Sequence, residues 1–262
     1  MTEQDIRKGL NGVVADYTAV SKVNPETNSL LYRGYPVQEL AEQCTFEEVA
    51  YLLWNGELPN DEQLAEFRGG CMANRDIDEE LIQIINFMPK DCHPMDVLRT
   101  AVSYLGTEDP EKFTPDSDHL RSIGRKLLAK LPTIVATDIR RRQGKEYIAP
   151  SKEKGFSENF LWMVFGDDEK SPANIPSDIE AFEKTMILYA EHSFNASTFT
   201  ARTIASTMSD GWSAITGAIG ALKGPLHGGA NEFVMHHMEE IGDPAKAEQW
   251  CLDKLKNKEL VM

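Results

Sequence analysis

The segment Lys223–Glu232, with the sequence KGPLHGGANE, places a single histidine, His227, between a proline and a pair of glycines. The proline predicts that the preceding helix ends near Lys223, and a new helix is expected to begin at about Ala230. Glycines let a backbone approach a ligand closely, and the free N–H groups of a helix start favour a neutral imidazole or an anion. A neutral histidine held there could donate a hydrogen bond to a developing enolate.

A second histidine, His192, lies in LYAEHSFNASTFTAR, at the end of an apolar helical pattern. It is followed by a run of hydroxyl and amide side chains: Ser193, Asn195, Ser197, Thr198 and Thr200. Two interpretations remain open. The run could form a polar pocket for a small oxygen-rich ligand, or it could be a helix break near Asn195 beside a packed histidine.

The other histidines and the cysteines do not have the spacing of a metal site. His236 and His237 are adjacent and point about 100° apart on a helix, so they cannot chelate together. His119, in DSDHLRS, is interpreted as a surface residue, and His93 as a helix-start residue before Pro94. The cysteines are far apart and form no CxxC pair, so reduced, partly buried thiols are expected: Cys44, Cys71, Cys92 and Cys251.

The formal net charge of the 262 residues is −15, which argues against nucleic acid or anionic membrane as the main partner. An anionic ligand would need a local cluster of basic side chains. The basic run Arg140–Arg142 is expected at a helix C-terminus, where cations complement the helix dipole. No apolar run approaches the ~20 residues of a membrane span. The N-terminus MTEQDIRKGLNG has no apolar signal core, so we expect a cytoplasmic protein.

Helical patterns dominate the elements that must hold these residues. Capping boxes at Thr45–Glu48 and Ser177–Glu180 predict two helix starts. Further helices are predicted after Asn60, from His93 to a terminating Gly106, over 117–142 with a kink at Pro132, over 159–165 and over 210–222. Short strands are predicted at Gly12–Ser21 and Leu30–Arg33. The fold class is therefore all-α with minor β structure near the N-terminus. The small residues of 210–222 predict burial in the core or at a subunit interface.

Four motifs make the chain recognisable. LYAEHSFNASTFTAR and AITGAIGALKGPLHGGANE resemble the two histidine motifs of the citrate synthase family. SLLYRGYPVQELAEQCTFEEVAYLLWNGELP and CHPMDVLRTAVSYLG resemble its N-terminal half, and the match is collinear from about Gly9 to the last residue. Phe194, Phe199 and HPMDVLRT are more similar to 2-methylcitrate synthases than to hexameric or eukaryotic citrate synthases. Short bacterial citrate synthases overlap with that subgroup.

The resemblance implies a citrate synthase-like, multi-helical large domain, here residues 1–226, and the start of a small mobile domain at 227–262. It implies an obligate homodimer with the active site in a cleft and with helices about 90–106 and 210–222 at the interface. The implied reaction condenses an acyl-CoA with oxaloacetate: propionyl-CoA gives 2-methylcitrate and CoA, and acetyl-CoA gives citrate. The implied chemistry uses no metal, prosthetic group or other cofactor.

The same resemblance assigns roles to four side chains by their places in the two motifs. His192 is expected to bind oxaloacetate, and Asn195 to line the oxaloacetate pocket. His227 is expected to be the catalytic neutral donor that stabilises the enolate of the acyl-CoA as it forms. Ser197 is expected to support His227 by a hydrogen bond without touching the substrate.

The chain departs from the family pattern at its last residues, Asn257–Met262. Relatives continue there into a Gly-Phe-Gly-His-Arg-Val-Tyr segment and further. That part of the family supplies the histidine that polarises the oxaloacetate carbonyl, the base that takes the α-proton, the arginines that bind the carboxylates and most of the CoA site. The sequence is therefore interpreted as C-terminally truncated relative to the family. The preference between propionyl-CoA and acetyl-CoA stays open, and a non-catalytic dimerising scaffold fragment is the alternative.

We predict that the 262-residue polypeptide alone does not condense oxaloacetate with propionyl-CoA or acetyl-CoA. The reason is that the family's base and carbonyl-polarising histidine have no counterpart in it. A coupled thiol-release assay measures this activity, with a blank that lacks oxaloacetate. Turnover above that blank would contradict the prediction.

Overall fold

The computed structural model describes residues 12, 14, 16–110, 116–259 and 261. Three short strands and twelve α-helices lie within these ranges, so the predicted all-α fold with minor β structure near the N-terminus is confirmed. The chain divides into two compact units. The first comprises Phe182–Ser193 and the described residues up to Leu64, and the second comprises Ala65–Ala181 and the residues from Phe194 onward. The division between 1–226 and 227–262 concerns the domains of intact family members and stays a prediction.

A small antiparallel sheet begins the first unit. Its strands are β1 (Ser21–Asn24), β2 (Ser29–Tyr32) and β3 (Tyr35–Pro36), in that spatial order. Between β2 and β3, Arg33 and Gly34 both have positive φ (49° and 97°), which is typical of a two-residue hairpin whose turn matches the strand twist. The prediction of a strand at 30–33 is therefore confirmed. The prediction over 12–21 is wrong, because its described residues before Ser21 form turn, bend and irregular chain. Val13 and Ala15 lie outside the described residues.

Helix caps decide where the next elements begin. The elements are α1 (Val37–Gln43), α2 (Phe46–Asn55), α3 (Asp61–Ala73) and, later in the chain, α8 (Pro176–Leu188). The predicted capping box of α2 is confirmed: the Thr45 N–H donates to Glu48 Oε2 (2.6 Å) and the Glu48 N–H donates to Thr45 Oγ1 (3.4 Å). The capping box predicted at Ser177 is wrong. Helix α8 already begins at Pro176, whose fixed φ suits the first helical position.

The second unit consists of helices joined by short connections. They are α4 (Glu79–Phe87), α5 (Pro94–Thr107), α6 (Ser117–Arg142), α7 (Phe156–Phe165), α9 (Ala196–Ala205), α10 (Gly211–Leu222), α11 (Gly229–Ile241) and α12 (Ala247–Lys256). Single 3-10 turns lie at Pro172–Asn174 and Pro244–Lys246. The helices predicted over 93–106, 117–142, 159–165 and 210–222 are confirmed to within three residues at each end. Pro132 lies inside α6, which continues to Arg142.

The main hydrophobic core of the second unit lies among α4, α5, α6 and α10. Its buried side chains include Leu81, Ile85, Val97, Val102, Ile134 and Trp212. Gly106 was predicted to end α5, and this is wrong, because the helix continues to Thr107 and Gly106 is buried inside it. A Cβ at Gly106 would lie 2.7 Å from Trp212 Cβ. The glycine therefore lets α5 and α10 approach more closely than any side chain would permit.

A buried carboxylate lies beside the same tryptophan. Trp212 Nε1 donates to Asp109 Oδ2 (2.8 Å), and His119 Nε2 lies 3.3 Å from that oxygen. The His119 side chain is only 9% exposed, so its interpretation as a surface residue is wrong. Its sequence surroundings are polar, but the pairing with a buried carboxylate holds the ring against the core.

The end of α6 is fixed by its own basic residues. Arg141 Nη2 and Arg142 Nε lie 2.6 Å and 2.7 Å from the two carboxylate oxygens of Asp138, and Arg140 Nη1 donates to the Val164 carbonyl (2.9 Å). The basic run lies at the C-terminus of α6, as predicted, and its guanidinium groups are used inside the unit. Within the described ranges, no helix combines the length and the hydrophobicity that a membrane crossing requires.

We predict that Gly106→Ala lowers the free energy of unfolding by about 1–3 kcal/mol, because the added methyl group overlaps Trp212. Gly69→Ala in α3 is the matched control. Its added Cβ meets nothing within 4 Å, so the better helix propensity of alanine should stabilise the protein by about 0.5–1 kcal/mol. Urea unfolding followed by circular dichroism measures both changes. Equal effects of the two substitutions would show that the α5–α10 contact is not tight.

Candidate active site

His227 lies in a tight turn between α10 and α11, and it is half-buried. Helix α10 ends at Leu222, close to the predicted end, and α11 begins at Gly229, one residue before the predicted start. The turn is closed by its own backbone, since the N–H groups of His227 and Gly229 both donate to the Gly224 carbonyl (2.9 Å and 3.1 Å). The histidine is therefore carried by a closed loop.

The glycine pair after His227 packs against the end of α10. A Cβ at Gly228 would lie 2.5 Å from Leu222 Cδ1 and 2.6 Å from the Leu222 carbonyl oxygen. A Cβ at Gly229 would lie 2.9 Å from the carbonyl oxygens of Lys223 and Gly224. The sequence led us to expect that these glycines admit a ligand. In the structure the space beside these glycines is filled by the end of α10 and the turn after it, whose atoms would collide with a side chain at either position.

The first N–H groups of α11 are already used. Gly229 donates to Gly224, Ala230 donates to the His227 carbonyl (3.0 Å), and Asn231 donates to the Gly228 carbonyl (3.2 Å). The expectation that these groups are free for a ligand is therefore wrong, because the tight turn supplies carbonyl acceptors to them. Helix α11 can still act on His227 through its dipole, whose positive end lies at this terminus.

The structure brings His227 and Ser197 together. Ser197 Oγ lies 2.5 Å from His227 Nε2, and both residues are half-buried. When the hydroxyl donates to Nε2, the ring proton of a neutral imidazole is on Nδ1. The contact then orients the ring and leaves Nδ1–H as a hydrogen-bond donor for another group.

Ser197 is held by the start of α9. Asn195 is the N-cap of this helix, and its Oδ1 accepts from the Thr198 N–H (2.8 Å). Helix α9 packs along α10, where a Cβ at Gly217 would lie 2.2 Å from Ile204 Cδ1. Because α10 also leads directly into the His227 turn, the two helices together fix the separation of Ser197 and His227.

His192 belongs to the first unit, in the connection that follows α8, and it is exposed. Tyr32 from β2 fixes the residues before it: its hydroxyl donates to the Ile187 carbonyl (3.0 Å) and accepts from the Glu191 N–H (3.2 Å). Burial raises the pKa of the Tyr32 phenol, which keeps it a neutral donor at physiological pH. Ser193 follows with φ of 76°, a strained conformation for a residue other than glycine.

The described residues offer neither a metal site nor an activated cysteine. Among the described residues, no group of three or more His, Cys, Asp or Glu side chains is placed to hold a metal ion. The four cysteines are free thiols, as predicted, and Cys71 is fully buried. Burial raises the pKa of the Cys44 thiol, which disfavours the nucleophilic thiolate.

The family model described as "Citrate synthase, C-terminal domain" matches residues 9–262. The chain belongs to the citrate synthase family. It is 63% identical over 261 residues to "2-methylcitrate synthase 2" of Corynebacterium glutamicum. The match covers 100% of this chain and 68% of that protein. It is 58% identical over 259 residues to a "Citrate synthase" of Mycolicibacterium smegmatis, with 98% of this chain and 67% of that protein covered.

Among solved structures, a citrate synthase of Thermoplasma acidophilum in a ternary complex with carboxymethyl coenzyme A and oxaloacetate superposes with a TM-score of 0.90. The two sequences are 29% identical, and the match covers 98% of this chain and 66% of that one. The family resemblance predicted from the histidine motifs is thus confirmed, and so is the helical fold that it implied. The roles assigned to His192, Asn195, Ser197 and His227 stay predictions.

The contacts that hold the family's two histidine motifs in this chain were not predicted. Tyr32 was seen only as part of a short strand, although its hydroxyl fixes the segment before His192. Asp96 and Lys223 were not singled out, although Lys223 Nζ lies 2.9 Å and 2.8 Å from the two carboxylate oxygens of Asp96. Opposite charges 127 positions apart carry no local signal, so only the packing of α5 against α10 could reveal this pair.

Proposed function

We propose that the protein containing this chain condenses propionyl-CoA with oxaloacetate to give 2-methylcitrate and CoA. The observation that carries the proposal is the 2.5 Å contact between Ser197 Oγ and His227 Nε2 in a closed turn at a helix start. The high identity to proteins named 2-methylcitrate synthase supports the choice of acyl group. The chain spans about two thirds of those relatives, so the activity is proposed for the protein as a whole.

His227 would act at the most difficult step, which is removal of the α-proton of the acyl-CoA thioester. Such a proton is far less acidic than any protein base, so charge developing on the thioester oxygen must be stabilised as it appears. With Ser197 donating to Nε2, the neutral ring presents Nδ1–H to that oxygen. The enolate carbon then attacks the ketone carbon of oxaloacetate, the resulting alkoxide takes a proton, and water hydrolyses the thioester to release CoA.

His192 and Asn195 are proposed to contact oxaloacetate. His192 is exposed, so its ring can reach a ligand. Asn195 Oδ1 already accepts from the Thr198 N–H, which leaves its amide NH2 as the group that can donate to a substrate carboxylate or carbonyl. Donation from two neutral or weakly basic groups suits a dianionic ligand, although carboxylates of this kind also need cations.

The proposal includes a homodimer, a cytoplasmic location and no cofactor. Hydrogen-bond donors suffice in principle to stabilise an enolate, and acyl-CoA enters only as a substrate. A cytoplasmic location is proposed because both substrates are intracellular metabolites. A homodimer is proposed through α5 and α10, which share a groove at the protein surface. Besides Asp210 and Trp212, its lining consists of small and hydroxyl residues: Ser103, Gly106, Thr107, Ser213, Thr216 and Gly217.

Acetyl-CoA is the second candidate substrate. The relative named "Citrate synthase" supports it, because its identity of 58% lies between the 63% and 56% of two relatives named 2-methylcitrate synthase. A methyl group in an apolar pocket changes the free energy of binding by only about 1–3 kcal/mol. One or two side chains of the acyl pocket can therefore decide between the two acyl-CoA substrates.

We predict that the product of the natural reading frame releases CoA from propionyl-CoA in an oxaloacetate-dependent manner. His227→Ala should lower kcat about 100- to 1000-fold, because a donor to the developing enolate is lost. Ser197→Ala should have a smaller effect of the same kind, and His192→Ala should raise KM for oxaloacetate. Thiol release at saturating concentrations of each substrate measures these constants.

Thr203→Ala is the matched control for the serine substitution, since it removes an exposed hydroxyl of the same helix, α9, that donates to the Phe199 carbonyl. It should leave kcat within about twofold, as surface substitutions usually do. A higher kcat/KM for acetyl-CoA would instead assign citrate synthase activity. Oxaloacetate-dependent release from neither acyl-CoA would favour the scaffold alternative, and full activity of His227→Ala would remove the proposed role of this histidine.

We predict that the 262-residue chain is a dimer in light scattering and that Ser103→Arg makes it monomeric. Ser103 is exposed on α5 at the edge of the groove, where the long arginine side chain would keep two copies from approaching closely. Asn86→Arg, which adds the same charge to an exposed position of α4, should leave the mass unchanged. A monodisperse monomer of the unsubstituted chain would contradict the proposed interface.

A further inference from the structure

The N-terminal turn of α5 reaches the segment 223–232 that carries His227. In the sequence, His93-Pro94-Met95-Asp96 is a helix start, and His93 is indeed the N-cap of α5, with Nδ1 accepting from the Met95 N–H (3.1 Å). The turn also makes two polar contacts to residues outside α5, one from His93 and one from Asp96, and both lead to the segment around His227.

Asp96 holds Lys223, the C-cap residue of α10. Lys223 Nζ lies 2.9 Å from Oδ1 and 2.8 Å from Oδ2 of Asp96, and Arg99 Nη2 donates to the same Oδ1 (3.0 Å). The hydrogen bond from Lys223 is the main cause of the lowered pKa of Asp96. The pair is therefore complete above the usual carboxyl pKa and is lost only as the pH falls through the lowered value.

His93 holds the first turn of α11. Because its Nδ1 accepts from the Met95 N–H, the proton of the neutral ring is on Nε2, which lies 3.1 Å from Glu232 Oε2. Glu232 is the fourth residue of α11 and follows His227 by five positions. The two contacts of the α5 turn thus lie on either side of the histidine in the chain.

Between these contacts the segment packs on the end of α10 through its glycine backbone, but its large apolar side chain, Leu226, is 85% exposed. Its backbone is closed on Gly224, which accepts from His227 and Gly229 and follows Lys223 directly. The orientation of the His227 ring therefore depends on where the two ends of the segment are held.

We propose that His93 and Asp96 are positioning residues that hold both ends of the 223–232 segment and thereby orient the His227 ring toward Ser197. The meaning of this arrangement for catalysis rests on the proposed function, but the arrangement itself does not. We call the Lys223–Asp96 and Glu232–His93 contacts the α5 clamp. Neither His93 nor Asp96 is proposed to touch the substrate.

The first test measures backbone protection of 223–232 by hydrogen exchange and mass spectrometry on the 262-residue chain. Lys223→Met breaks the Asp96 contact and should speed exchange about threefold, as expected for a half-exposed ion pair. Lys223→Arg keeps the cation and should restore the original rate. Lys154→Met is the matched control, because Lys154, just before α7, pairs with Glu158 of α7 at a similar exposure: 27% and 33%, against 34% and 31% for Lys223 and Asp96.

The second test reads the His227 ring by nitrogen-15 NMR, with its signals assigned from their loss in His227→Gln. A ring fixed by Ser197 is one neutral tautomer with two well-separated nitrogen signals. Lys223→Met and Glu232→Ala should move these signals toward each other, because a ring that turns away from Ser197 samples both tautomers. Ser197→Ala should do the same, and Lys154→Met should not.

Unchanged His227 signals in Lys223→Met, with circular dichroism confirming the fold, would overturn the proposal. So would an equal change in Lys154→Met, or a change that Lys223→Arg does not reverse. Failure of the proposed function is measured independently, as absence of oxaloacetate-dependent CoA release by the product of the natural reading frame. That result would not alter the nitrogen-15 signals of His227. Loss of activity in Lys223→Met with unchanged ring signals would count against the α5 clamp alone.

Discussion

The close approach of α10 to its neighbours is the constraint on which the candidate site depends. Gly106 in α5 lies under Trp212, and Gly217 in α10 lies under Ile204 of α9, so two glycines replace side chains at both crossings. Helix α10 is thereby fixed between the helix that carries Ser197 and the helix that carries Asp96. Because α10 leads straight into the His227 turn, its position determines which groups that histidine can reach. A shift of α10 by the width of one methyl group would lengthen the 2.5 Å contact between Ser197 and His227.

Polar contacts determine the orientation of the His227 side chain, which helix packing alone does not fix. Helix packing fixes axes and distances, but it does not orient a side chain in a glycine-rich turn. The turn is closed by bonds to the Gly224 carbonyl, and its ends are held by Asp96 and His93. These contacts are half-exposed, and each contributes little to the free energy of unfolding. Weak contacts are sufficient to position the His227 ring, because orienting one ring needs far less free energy than holding a domain together.

Much of the fold and part of the site could be predicted from the sequence. Helix periodicity, the Thr45 capping box and the two histidine motifs have local signals, and each was located correctly. The errors at Gly106 and His119 have a common cause, which is tertiary contact. Gly106 has the sequence properties of a helix terminator but is a packing glycine. His119 stands in a polar stretch but pairs with buried Asp109. The Lys223–Asp96 pair joins residues 127 positions apart, and no local pattern indicates it.

The contacts of the turn prepare His227 to act as a hydrogen-bond donor. Lys223 is bound through both carboxylate oxygens of Asp96, so its ammonium group is already engaged where the turn begins. When the Ser197 hydroxyl donates to Nε2, a neutral ring carries its proton on Nδ1 and can donate it to another group. A neutral donor stabilises an enolate without binding the ground-state thioester strongly. Hydrogen bonds of this kind strengthen as negative charge grows on the acceptor, and catalysis requires that difference.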